Sequence, residues 1–259
     1  AERMYIEALE VATAASGEND YGSATMMHTL AMVYSQQGRY AEALPLEEKS
    51  LEIRESVLGP KHPHVALSLT TLAGILEGMG EPARGEPFAR RAVDVGREAW
   101  GPDYMDVWWM QRGHAGLLNA LGRHDEALEI MEPLVARIEA APRQVEMVFH
   151  LAELGRSYHG LERYEDAERA YERSIELAVA EEGPDDPSAA ASRLGLANVY
   201  RDSDRIDEAE AAYEAGLAAL EAANGARDPD RLQGLLDLAE LLEATGRLER
   251  AAELRAEAR

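Results

Sequence analysis

The sequence contains no cysteine. That excludes a disulfide framework and thiolate metal sites, and it fits the cytoplasmic location expected for this chain. Positive charge is also scarce: 26 lysines and arginines stand against 49 aspartates and glutamates in 259 residues, a net charge of -23. Nucleic acid is therefore not an expected partner, because its binding depends on neutralising phosphates with Lys and Arg. An anionic membrane surface is excluded on the same ground. No apolar run approaches the roughly 18 residues that span a bilayer, and no basic-then-apolar leader opens the given sequence.

Alanine, arginine and glutamate dominate instead, a helix-forming composition, and the chain repeats itself. Gly38-Arg39-Tyr40-Ala41-Glu42-Ala43-Leu44 returns as Gly122-Arg123-His124-Asp125-Glu126-Ala127-Leu128, Glu162-Arg163-Tyr164-Glu165-Asp166-Ala167, Asp204-Arg205-Ile206-Asp207-Glu208-Ala209 and Gly246-Arg247-Leu248-Glu249-Arg250-Ala251. A weaker copy is Gly80-Glu81-Pro82-Ala83-Arg84-Gly85. The second residues of these copies, at 39, 81, 123, 163, 205 and 247, lie 42, 42, 40, 42 and 42 apart. A fixed period in that range marks a solenoid, in which each unit contacts only its neighbours, so 1–259 is read as one continuous array.

The apolar residues of each unit recur at helical spacing. Met27, Leu30, Ala31 and Tyr34 define one buried face of a helix from Gly22 to Gln37. Gly38 ends it in the manner of a left-handed glycine past a helix terminus, and a second helix follows with Ala43, Leu46, Ser50, Leu51 and Ile53 inward. Six such hairpins are expected at 22–57, 64–99, 104–140, 143–181, 187–223 and 229–258. Residues 1–16 form a lone second helix, because Ala8-Leu9-Glu10 aligns with Ser50-Leu51-Glu52, as if the sequence starts inside a longer array. Separators such as Gly59-Pro60-Lys61-His62-Pro63 and Gly183-Pro184-Asp185-Asp186-Pro187 break the chain between hairpins. Only Ala141-Pro142 is short, which accounts for the spacing of 40.

Leu151-x-x-Leu154-Gly155-x-x-Tyr158, followed by Tyr164, Ala167, Tyr171 and Ser174, resembles the tetratricopeptide repeat, whose helix pair reads W-x2-L-G-x2-Y and then A-x3-F. The period is longer than the family's usual 34 residues. In this the chain looks like the repeats of kinesin light chains and of many bacterial regulators. The resemblance implies an all-α, right-handed superhelical solenoid whose first helices line an inner groove and whose second helices form the outer wall. It further implies a protein or peptide partner and no cofactor.

No catalytic constellation is legible. His62-Pro63-His64 suggests a shared metal ion, but no third ligand stands nearby and His-Pro belongs to the separator. His124-Asp125-Glu126 occupies the turn-motif slots, where His124 substitutes for a packed tyrosine. Gly78-Met79-Gly80 lacks the strand and the lysine of a phosphate loop, and there is no Ser-His-Asp or Cys-His pattern. The chain is therefore read as a non-enzyme.

Binding is sought on the first helices, where acidic and basic residues balance in the first five units. The positions two after the repeat leucine and one after the tyrosine face the groove: Met32 and Ser35, Gly74 and Glu77, Gly116 and Asn119, Arg156 and His159, Asn198 and Arg201, Glu240 and Glu243. One turn earlier lie His28, Thr70 and Arg112, with Trp109 nearby. Amides can clamp a peptide backbone and guanidinium groups can fork onto carboxylates. The candidate groove set is thus Arg112, Asn119, Arg156, His159, Asn198, Arg201, Trp109 and His28. Trp108 and Trp109 point about 100 degrees apart on a helix. Both are assigned to the core, with a groove-facing tryptophan as the alternative. Two other readings stay open: the sensor or regulatory arm of a larger signalling protein, favoured by the mid-repeat start, and a self-assembly scaffold.

Overall fold

The computed structural model describes residues 4–7, 10, 11, 13, 17, 19–140, 147–226 and 228–258. The proposed separator Ala141-Pro142 and most of the lone first segment lie outside them. Twelve helices of ten residues or more run through the described residues, with no strand among them. Contacts join α1 (Tyr21–Gln36) to α2 (Tyr40–Leu58) and α3 (Pro63–Gly78) to α4 (Pro82–Trp100), and α5 (Met105–Ala120) is followed in the chain by α6 (His124–Glu139). The later pairs are α7 (Met147–Gly160) with α8 (Tyr164–Glu182), α9 (Pro187–Asp202) with α10 (Ile206–Asn224), and α11 (Pro229–Ala244) with α12 (Leu248–Glu257). The chain divides into two compact units, Ala1–Ile130 and Met131–Arg259.

The turn motif owes its recurrence to its arginine as much as to its glycine. Arg39 lies over the Tyr34 ring at 4.1 Å, Arg163 over Tyr158 at 4.4 Å and Arg205 over Tyr200 at 4.2 Å, a cation–π contact between the end of each first helix and the start of the second. The same guanidinium then reaches the acid three residues on. Arg39 donates to both oxygens of Glu42 at 2.7 Å, and Arg123 to both of Glu126 at 2.6 Å. Glycine supplies the left-handed turn at Gly38, Gly80, Gly122 and Gly246. In the other two hairpins Glu162 and Asp204 hold it instead, at φ 58° and 59°.

These arginines also join one hairpin to the next. Within the second unit Arg205 donates to both oxygens of Glu168 on α8, at 2.6 and 3.0 Å, and Tyr200 donates to the same carboxylate at 3.0 Å. Arg247 repeats the contact with Glu210, and in the first unit Arg123 approaches Glu86 at 3.8 Å. Hydrogen bonds from Arg205 hold the Glu168 carboxyl below its usual range, outweighing the upward effect of burial.

The separators are built for abrupt reversal. Gly59, Gly101, Gly183 and Gly225 all adopt φ of 86° to 101° with extended ψ, a region essentially closed to residues with a Cβ. The residue before the next proline then caps the new helix: Asp186 accepts from the Ser188 and Ala189 amides, Asp228 from Arg231, and His62 from His64. His62 therefore works as a helix cap. His64 stacks on Tyr21, with ring centroids 5.7 Å apart, and hydrogen-bonds its hydroxyl.

Candidate functional site

Within each unit the first helices of successive pairs touch: α1 with α3 and α3 with α5, then α7 with α9 and α9 with α11. A pocket opens on this side of each unit. In the first unit it measures about 220 Å³ and is lined by residues of α3, α4 and α5. In the second it measures about 360 Å³ and is lined by residues of α7, α8, α9 and α11.

The two pockets are the same site on different hairpins. Glu81 and Arg163, which occupy one slot of the turn motif, are 82 residues apart. At that offset seven lining positions of one pocket fall on lining positions of the other. Thr70, Gly74 and Glu77 of α3 correspond to Ala152, Arg156 and His159 of α7. Ala89 of α4 corresponds to Tyr171 of α8. Trp109, Arg112 and Gly113 of α5 correspond to Ala191, Leu194 and Gly195 of α9. Position is kept and chemistry is not, with a glycine and a glutamate in one site where the other has an arginine and a histidine.

The second pocket is the more polar. Arg156 is exposed and lies 3.6 Å from Glu153. His159 donates to Asp202 at 2.9 Å, and Arg201 donates to Asp202 at 2.7 Å. Burial raises the Asp202 pKa, but the hydrogen bonds from Arg201 and His159 hold it below the ordinary value. Asn198 accepts from the Tyr213 hydroxyl at 2.5 Å, and that hydroxyl also receives Arg201 at 3.2 Å. Opposite them, α11 contributes Asp230, Gln233 and Asp237. The pocket thus has a basic and amide side on α7 and α9 and an acidic side on α11. Tyr171 closes its floor. Its ring lies between Gly155 and Gly195, and burial pushes its pKa up to about 12.

Of the sequence-derived candidates, Arg156, His159 and Asn198 line the second pocket, and Arg201 stands beside it through Tyr213 and Asp202. Trp109 and Arg112 line the first, the guanidinium 4.6 Å over the indole. The assignment of both tryptophans to the core is corrected here. Trp108 is buried and donates to the Pro102 carbonyl at 3.1 Å, while Trp109 reaches the pocket, because their side chains leave the helix in different directions. His28 and Asn119 are engaged internally. His28 pairs at 3.0 Å with Glu47, which is fully buried. Asn119 is buried with its carbonyl 3.0 Å from the His124 ring, drawn toward its own hairpin turn much as His159 contacts the Tyr164 ring. Gly116, expected to face outward with Asn119, is buried too.

Sequence reasoning missed Tyr171, Ala89 and the acidic side on α11. Tyr171 and Ala89 sit on second helices, which the family resemblance places on the outer wall. The acids of α11 were visible at the register of Asp237, three residues before Glu240.

Among the described residues no group of three or more His, Asp or Glu side chains is arranged to hold a metal ion. No helix among them is long and apolar enough to cross a membrane.

Two tetratricopeptide repeat family models match the chain, one over residues 23–64 and the other over 106–178 and 145–222. No curated protein matches it in sequence. Among solved structures, a putative kinesin light chain of Podosopora anserina with nearly identical TPR-like repeats shares 24% identity at a TM-score of 0.63, over 76% of this chain and 93% of that one. BtubC from P. vanneervenii shares 19% at 0.62, over 91% and 89%. A Rap protein complexed with Competence and Sporulation Factor shares 16% at 0.67, over 92% and 73%. At these identities the likeness is one of fold. The matched repeats, the helix pairs and these neighbours place the chain in the tetratricopeptide repeat family, with that family's all-α solenoid fold.

Proposed function

We propose that the protein is a binding scaffold that holds a partner protein or peptide segment along its first helices. The observation that carries this reading is the pair of equivalent pockets 82 residues apart, with seven lining positions in common and different side chains at most of them. The repeat returns the same position between first helices, and what differs from one pocket to the other is the set of side chains a partner would meet. The polar pocket of the second unit supports capture of a mixed-charge segment. Arg156 and Asn198 offer donors on one side, and Asp230 and Asp237 offer acceptors on the other. The Rap structure, solved with a bound factor, gives a precedent on the same fold.

The test uses a partner captured by the full chain and titrated against three proteins: wild type, Arg156→Glu in the pocket, and Arg173→Glu on the exposed face of α8. Arg156→Glu is expected to weaken binding at least about tenfold, the range for a charge pair lost and replaced by repulsion, with the unfolding midpoint read alongside because the new carboxylate also faces Glu153. Arg173→Glu is expected to bind as wild type. Equal affinity across all three refutes the groove assignment.

A further inference from the structure

We propose that the first-unit pocket receives one phenylalanine or tyrosine side chain from a segment of a partner protein, in the place that the chain fills with its own tyrosine in the second unit. The protein or peptide nature of the partner rests on the proposed function above. The ring-sized socket rests on the geometry alone.

In the second unit Tyr171 is a wedge. It leaves α8, passes between the first helices α7 and α9, and is buried there. A Cβ added at Gly195 would lie 2.5 Å from the ring, and one added at Gly155 would lie 3.0 Å from it. Both glycines leave room for the phenol. The equivalent residues in the first unit are Ala73, Ala89 and Gly113. The A-x3-F step of the repeat here reads Gly85-x3-Ala89, so no ring stands at the position of Tyr171; the neighbouring Phe88 packs against the Ala73–Ala89–Leu117 cluster and is not among the residues that line the pocket. The two first helices nevertheless keep the gap. A Cβ at Gly113 meets nothing within 4 Å, and neither does one at Gly74 across the pocket. Glycine costs a helix interior about 1 kcal/mol relative to alanine, so two glycines facing open space are not explained by packing within the chain.

The size and lining of the space identify the occupant. The pocket holds about 220 Å³, and an apolar cavity of about 150 Å³ is enough to bind benzene. Its walls are alanines, Met110 and Leu117, with the Trp109 indole at the side, contacts suited to an aromatic ring. Its mouth carries Arg112 and Glu77. With one charge of each sign there, the site offers no net charge to select an ionic side chain. In the first hairpin the corresponding slot is taken by Glu47, which is buried against His28.

The experiment compares the wild-type chain with two variants that fill the socket from different helices, Ala89→Tyr and Gly113→Leu. p-Cresol is titrated into each while the indole and backbone amide resonances are followed. Saturable shifts at Trp109, Gly74 and Gly113 are expected in the wild type and at least a tenfold weaker response in both variants. Random 12-residue peptides are then selected by display on the wild type and on Ala89→Tyr. An aromatic residue enriched at one position only on the wild type is the expected result. Absence of saturable cresol shifts at Trp109, or equal shifts in either folded variant, overturns the socket. Peptides enriched on both proteins without an aromatic preference overturn it while sparing the groove function, and no enrichment on either overturns both.

Discussion

Two glycines at the same repeat position are expected to respond differently to alanine, one gaining stability and the other gaining none. Gly113 on α5 and Gly195 on α9 are 82 residues apart and each lines its pocket. At Gly113 the added methyl enters open space, so only helix propensity acts, and Gly113→Ala should stabilise the protein by about 1 kcal/mol. At Gly195 the methyl would sit 2.5 and 2.6 Å from two ring carbons of Tyr171, against a comfortable carbon separation of about 3.5–4.0 Å. The ring would have to retreat by about 1 Å to restore that separation, and on its other side Gly155 leaves only 3.0 Å to a built Cβ. Overpacking of this kind costs about 1–3 kcal/mol. Set against about 1 kcal/mol of propensity, Gly195→Ala should be neutral to destabilising by up to about 2 kcal/mol. Urea unfolding followed by far-ultraviolet circular dichroism reads both. Amide exchange assigns each change to its unit, since an array of repeats need not unfold as one. The decisive comparison adds Tyr171→Ala: with the ring gone, Gly195→Ala should become stabilising like its counterpart, a coupling of about 1 kcal/mol or more between residues in contact. Equal effects of the two substitutions, or no coupling to Tyr171, would refute the contrast between a filled and an empty socket.

Two further outcomes follow from the geometry. Gly183 holds φ 101° and ψ 177° between α8 and α9; Gly183→Ala should cost about 1–3 kcal/mol in thermal or urea unfolding, and a cost below that range would show that the separator can relax. Burial pushes Tyr158, Tyr171, Tyr200 and Tyr213 up to about 12, so between pH 10 and 12 the folded state keeps phenolic protons that the unfolded chain has released, and stability must fall as pH rises through that window. The urea midpoint measured across it should drop, and Tyr171→Phe should flatten the drop.

The fold was legible because it is local. Hydrophobic spacing, left-handed turns and Gly-Pro separators each act over a few residues, and the turn motif that carries them returns along the chain at a near-constant period. Arg39 and its copies were visible too, although their role was not: the stack on a tyrosine five residues earlier and the reach to the preceding hairpin needed coordinates. The candidate groove residues divide along the same line. Arg156 and Arg112 lie at their pockets, where their helix register points them. His28 and Asn119 share that register but turn to Glu47 and His124, partners that no spacing rule identifies.

The sequence by itself therefore determined the repeat, its helix pairs, the family and the acidic surface, since each depends on periodicity or composition. Tertiary structure decided which positions hold space. Tyr171 and Ala89 differ by one ring in a string of letters, and only the packing of second helices against first helices shows that one fills a notch the other leaves open. Whether a side chain is filler or its absence is a site depends on atoms contributed by three helices at once, and sequence spacing carries no record of that volume.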